Sequence, residues 1–257
     1  MKIDELKAFL DQKADQYNTP RFIEDDPISI PHSYSKKEDV EISGFFSAIL
    51  AWGQRTTIIN NSKKLMSLMD KAPYQFIMQH QEHDLERIKG FVHRTFNDID
   101  LRYFIASLKN IYKKHGGLEN VLKPKKTEDR TGSAIHRFKE IFFELEHPQR
   151  TQKHIADPMK GSSAKRINMY LRWMVRDDKK GVDLGIWNNI PMSKLSIPLD
   201  VHTGSVSRSL GLLNRKQNDA KAVAELDKAL RTFDPIDPVK YDFALFGLGA
   251  YENFGRE

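Results

Sequence analysis

The sequence predicts an all-α fold, and three observations carry that prediction. Apolar residues return every three or four positions through most of the 257 residues, the spacing that lines one face of a helix. No stretch alternates apolar and polar residues long enough to make a half-buried strand. No segment repeats at a period of roughly 20–50 residues, which sets solenoid arrays aside.

Leu6, Phe9, Leu10 and Lys13 recur at helical spacing, giving an opening amphipathic helix that Pro20 ends. Asp25-Asp26-Pro27 through Pro31 reads as an irregular, proline-rich connection. Ser35-Lys36-Lys37-Glu38 has the form of a capping box, with Ser35 accepting from the backbone and Glu38 reaching back. Behind it Ile42, Phe45, Phe46, Ile49 and Leu50 predict a strongly buried helix ending near Gly53. Further helices are expected over 58–69, 74–78, 99–112, 133–145, 166–175, 201–210, 220–233 and 241–248. The charged connections 123–130 and 147–150 and the turn 177–181 are too short for interdomain linkers, so a single compact unit with a cleft is expected.

Composition narrows the chemistry. Lys and Arg number 41 against 35 Asp and Glu, a net charge of +6. Mild basicity suits a polyanionic partner, with a ribosomal or RNA-related role as competitor. There is no cysteine, which excludes disulfides, thiol nucleophiles, thiolate zinc sites and cysteine-ligated iron–sulfur clusters. Early acids at Met1-Lys2-Ile3-Asp4-Glu5, and the lack of a long apolar run, lead to the expectation of an unanchored cytoplasmic protein. The phosphate-loop, zinc-protease and serine-hydrolase signatures are missing. His80 and His83 have no third ligand nearby and read as a solvated helix face. No metal and no cofactor are expected.

Two segments can carry chemistry. Gly161-Ser162-Ser163-Ala164-Lys165-Arg166 reads as a hairpin-like turn with a lysine behind it. An amine attacks a sugar carbon only when partly neutral, which calls for burial or a neighbouring cation. Arg166 is next in sequence, but about 100° away around a helix. The plainer reading of Lys165 is a solvated lysine at a basic helix start. Asp200, in Ile197-Pro198-Leu199-Asp200-Val201-His202-Thr203-Gly204, is placed to cap a helix. A carboxylate there stays ionised and can also stabilise a cationic sugar or deprotonate a nucleophile. The two roles are compatible. His202 can meet a DNA backbone, hydrogen-bond Asp200, or be satisfied within the first helical turn. Trp52, Trp173 and Trp187 can stack a flipped base, or simply fill the core. Phe243, Phe246 and Gly247 belong to a closing core helix.

These segments carry a resemblance. Leu199-Asp200-Val201-His202 with Arg208 is similar to the aspartate segment of the helix-hairpin-helix DNA glycosylases, V-D-x-H-x-x-R-V. The Gly161 turn with Lys165 resembles that superfamily's hairpin, L-P-G-V-G-x-K-T-A. Ile49-Leu50-Ala51-Trp52-Gly53-Gln54-Arg55-Thr56 looks like its early helix ending in L-S-x-Q-x-T. The three occur in the family's order and span about two-thirds of the chain. The 35 residues from Lys165 to Asp200 exceed the usual separation and come closer to that of the archaeal 8-oxoguanine glycosylases. The whole chain also resembles an uncharacterised bacterial family placed near these enzymes. One glycine, Gly161, stands where the hairpin pattern has two, with Ser162 and Ser163 as alternative donors.

The resemblance implies two helical lobes flanking a cleft, residues 34–194 building one and 1–33 with 195–257 the other. It implies base excision from damaged double-stranded DNA by a monomer, with associated lyase activity through a Lys165 Schiff base assisted by Asp200. DNA would be contacted by Gln54, Arg55, Gly161, Ser162, Ser163 and His202, with Trp52 and Trp173 at the base pocket. Two alternatives stand beside it: a non-catalytic nucleic-acid-binding protein of the same fold, and a helical interaction protein in which lysine and aspartate are surface and cap.

Overall fold

The structure, a computed structural model, describes residues 2–255. Among them are twelve α-helices: α1 (Ile3–Tyr17), α2 (Arg21–Glu24), α3 (Lys37–Leu50), α4 (Arg55–Leu68), α5 (Pro73–Gln79), α6 (Asp98–Lys114), α7 (Leu118–Leu122), α8 (Gly132–Phe142), α9 (Lys165–Val175), α10 (Val201–Ser209), α11 (Ala220–Phe233) and α12 (Tyr241–Tyr251). Short 3-10 turns join several of them. The only sheet among the described residues pairs β1 (Val92–His93) with β2 (Phe96–Asn97), antiparallel. The protein is mainly helical, as its periodicity requires. That hairpin and α7 were too short to leave a periodic signal. The proline-rich connection winds into two 3-10 turns, Pro27–Ser29 and Pro31–Ser33. The Ser35 capping box does not form: α3 opens behind an extended Lys36 with no side-chain cap.

The chain divides into two compact units. The first comprises 1–22, 124–133 and 157–257, and the second 23–123 and 134–156. These boundaries differ from the expected division at 34 and 194. The segment carrying Gly161 and Lys165 belongs with α1 and the C-terminal helices.

In the second unit, Phe45 of α3, Phe104 of α6 and Phe138 and Phe142 of α8 are fully buried. Their rings meet at 4.7–6.0 Å between centroids, within the range aromatic pairs favour. Buried Asp100 in the first turn of α6 accepts from Arg150 at 2.7 Å and Thr151 at 2.7 Å, tying the 3-10 turn Gln149–His154 to the helix.

In the first unit, Leu6, Leu10 and Ala14 of α1 join Leu226 and Leu230 of α11 and Ala244, Leu245 and Leu248 of α12 in one apolar core. The approach of α1 to α12 depends on Gly247. A Cβ there would fall 2.2 Å from Cδ2 of Tyr17, inside any tolerable contact. Gly249 plays the same part toward α10, where a Cβ would stand 2.9 Å from Cβ of His202. No described helix is long and apolar enough to cross a membrane.

Candidate active site

Asp157 caps the 3-10 turn Pro158–Lys160, accepting from the Met159 amide at 3.0 Å. Gly161 then turns the chain at φ +91°, a conformation that favours glycine. Its carbonyl accepts from Ala220 N at 3.0 Å and Ser162 bridges to Asp219, so the turn is fastened to the start of α11. The Ser162 amide donates to Asp157 O and the Ala164 amide to Ser162 Oγ, at 3.2 and 3.1 Å. Much of the donor capacity of the turn is therefore used internally. Ala164, left-handed at φ +47°, launches α9. Lys165 is its first residue and is partly exposed. Among the described residues no acceptor or carboxylate pairs with the Lys165 ammonium. Neighbouring Arg166 is brought down to about 10 by burial.

Asp200 is the N-cap of α10. Its Oδ1 accepts from the Thr203 amide at 2.8 Å, and its carbonyl from Gly204 N and Asn218 Nδ2 at 2.9 and 2.8 Å. The carboxylate is partly exposed, so capping leaves one oxygen for other work. Arg208 turns inward to Arg215 O and Asn218, bracing the loop that holds Asp200.

A buried acid stands beside the cap of α10. Asp242, only 5% exposed, lies in the first turn of α12. Burial pushes its carboxyl up to about 6, and the charge of Asp200 adds to this, while Arg172 and Lys165 oppose it. Asp242 Oδ2 accepts from Arg172 Nη1 at 2.5 Å, and Thr203 Oγ1 stands 3.4 Å from its Oδ1. Behind it runs a ladder of buried ions. Arg172 and Arg176, one turn apart on α9 and at its end, share Asp183 at 3.1 Å each, and Arg176 continues to Asp237 and Asp178 at 2.9 Å. Burial pulls the Arg176 guanidinium down, but the surrounding carboxylates outweigh it and raise it further.

Sequence reasoning missed Asp242 and Arg172. The available signal was an acid inside the otherwise apolar segment Tyr241-Asp242-Phe243-Ala244-Leu245-Phe246, which reads as a plain core helix.

The remaining candidates fall in different surroundings. His202 is half-buried with its ring edge-on to Phe246 at 5.8 Å. Ser162 and Ser163 line a groove of about 410 Å³ with Arg130 and buried Asn168, and neither Lys165 nor Asp200 borders it. Gln54, Arg55 and Trp52 lie in the other unit. Gln54 does not end a helix as expected. It is the exposed N-cap of α4, beyond the turn at Gly53. Trp52 is half-buried beneath the Arg94 guanidinium at 4.6 Å. Trp173 is corrected: it is wholly buried, so no base can stack on it. Trp187 is likewise core, edge-on to Tyr170 at 5.3 Å.

No curated protein and no solved structure matches the chain. One family model does, over residues 26–251. The chain therefore belongs to the family described as a protein of unknown function, DUF2400.

Proposed function

We propose that the protein excises damaged bases from double-stranded DNA and opens the resulting site through a Lys165 Schiff base. The observation that carries this reading is that one unit holds two partly exposed groups at helix starts, Lys165 opening α9 and Asp200 capping α10. The unpaired, partly exposed lysine and the capped, partly exposed carboxylate are the two groups such a reaction needs. In the proposed reaction Lys165 Nζ forms a bond to C1′ as the glycosidic bond breaks, and the base leaves with the electron pair. Asp200 stabilises the positive charge that develops on the sugar. Loss of the amine protons and opening of the sugar ring give the imine. Removal of a C2′ proton then expels the 3′ phosphate. The hairpin around Ser162 and Ser163, together with His202, supplies the proposed DNA contacts of this unit. The +6 charge favours such a polyanion.

Borohydride trapping over a panel of duplexes, each with one damaged base, tests the reading. A covalent adduct is expected with wild type and none with Lys165→Gln. Duplex binding without adduct or excision on any substrate would replace the enzyme with a non-catalytic binder.

A further inference from the structure

The groove beside the Gly161 turn holds a polar atom that nothing in the fold satisfies. All its lining residues belong to one unit, and neither Lys165 nor Asp200 is among them. Asn168, the fourth residue of α9, borders the groove and is only 3% exposed. Its Nδ2 donates to the Ser163 carbonyl at 3.0 Å. A carbonyl can only accept, so this bond fixes which end of the carboxamide is nitrogen. Oδ1 is left buried with no hydrogen-bond partner among the described residues. An unmet buried acceptor is costly, so the position calls for a donor that the chain does not supply.

The rest of the lining says which donor. Glu128 and Asp129 bring carboxylates to the groove, and Ser162 and Ser163 bring hydroxyls. Arg130, the cation of the lining, stands 3.8 Å from Asp227, which is fully buried, so its charge is balanced from behind. The lining is therefore rich in acceptors and negative on balance, with Pro158 and Val223 as apolar wall. An ammonium matches it: three donors, no acceptor and a positive charge. The volume of about 410 Å³ falls in the range of small-molecule sites.

We propose that this groove binds the ammonium head of a small organic amine, with Asn168 Oδ1 and the carboxylates of Glu128 and Asp129 as its acceptors. The site is separate from the proposed Lys165 chemistry and does not rest on it.

Titration of ¹⁵N-labelled protein with n-butylamine at neutral pH, without DNA, tests this. Saturable binding that moves the Asn168 side-chain amide signals is expected. Butyltrimethylammonium keeps the charge but has no N–H, and 1-butanol keeps a donor but has no charge. Each should bind about 10-fold more weakly or worse, as should butylamine to Asn168→Leu and to Ala224→Phe, which fills the groove. A capped tripeptide bearing one lysine, run alongside, distinguishes a free amine from a partner's side chain, and saturable binding of either supports the site. Should Asn168→Leu fail to fold, Ala224→Phe decides, because it leaves the Asn168–Ser163 bond in place. Equal binding of butyltrimethylammonium, or wild-type affinity in the folded variants, overturns the proposal. So does the absence of saturable binding, which would leave Oδ1 to a buried water. With no DNA present, that failure leaves the glycosylase reading standing, and a wild type that traps no duplex leaves this one.

Discussion

Asp200 has two roles that a single substitution can separate. Asparagine caps a helix about as well as aspartate, so Asp200→Asn keeps the bond to Thr203 N and removes only the charge. Single-turnover excision on a confirmed substrate should fall by about 100-fold or more, with the helical circular dichroism unchanged. Full excision by the variant would leave Asp200 a cap alone. Asp242 makes a prediction about stability. Its carboxyl stands at about 6 against an ordinary 3.8 because burial disfavours the anion. The folded protein thus holds this proton more tightly than the unfolded chain. That contribution is complete below the unfolded value, near pH 4, and is lost as pH rises through about 6. The urea-unfolding stability of wild type minus that of Asp242→Asn should therefore decline between about pH 4 and 6. A flat difference would mean that Asp242 titrates normally. Asp11, Asp178 and Asp234, held low by lysines, an arginine and backbone donors against burial, act in the opposite sense at lower pH. The difference measurement cancels them.

Among the elements, those with long, regular apolar faces were legible in advance. The helix expected over 220–233 is α11, and those expected over 58–69 and 99–112 match α4 and α6 to within three residues at each end. Boundaries set by local geometry were not. Lys36 caps α3 by an extended backbone, which Ser35 and Glu38 did not foretell. The left-handed Ala164 ahead of Lys165 is forced by the turn around it and has no sequence signature. Asp200 as the cap of α10 was readable from its flanking residues. Asp242 was not, because its meaning comes from Arg172 on another helix. Two substitutions test the packing. Gly247→Ala drives a methyl into the Tyr17 ring, which is held by Glu252 and stacked on Tyr251. It should cost about 1–3 kcal/mol in chemical denaturation. Phe142→Ala, which removes the ring that meets five other aromatic rings in the other unit, should cost about 3–5 kcal/mol.

For the molecule as a whole, charge makes the broadest prediction. If DNA is the partner, affinity for a duplex should fall linearly on a log–log plot against salt, with a slope set by the number of phosphates neutralised. Lys165→Gln should reduce that slope by at most about one, and a slope near zero would remove nucleic acid from consideration. The two-unit architecture also bears on how the chain is made. Asp11 and Tyr241, bonded at 3.0 Å, are 230 residues apart in sequence, and α1 shares its core with α12. The unit formed by 23–123 and 134–156 has all its residues once position 156 has been synthesised, and domains generally fold as units while the chain is still growing. During that interval α1 carries Leu6, Leu10 and Ala14 with neither α11 nor α12 yet made to cover them. It must wait for both.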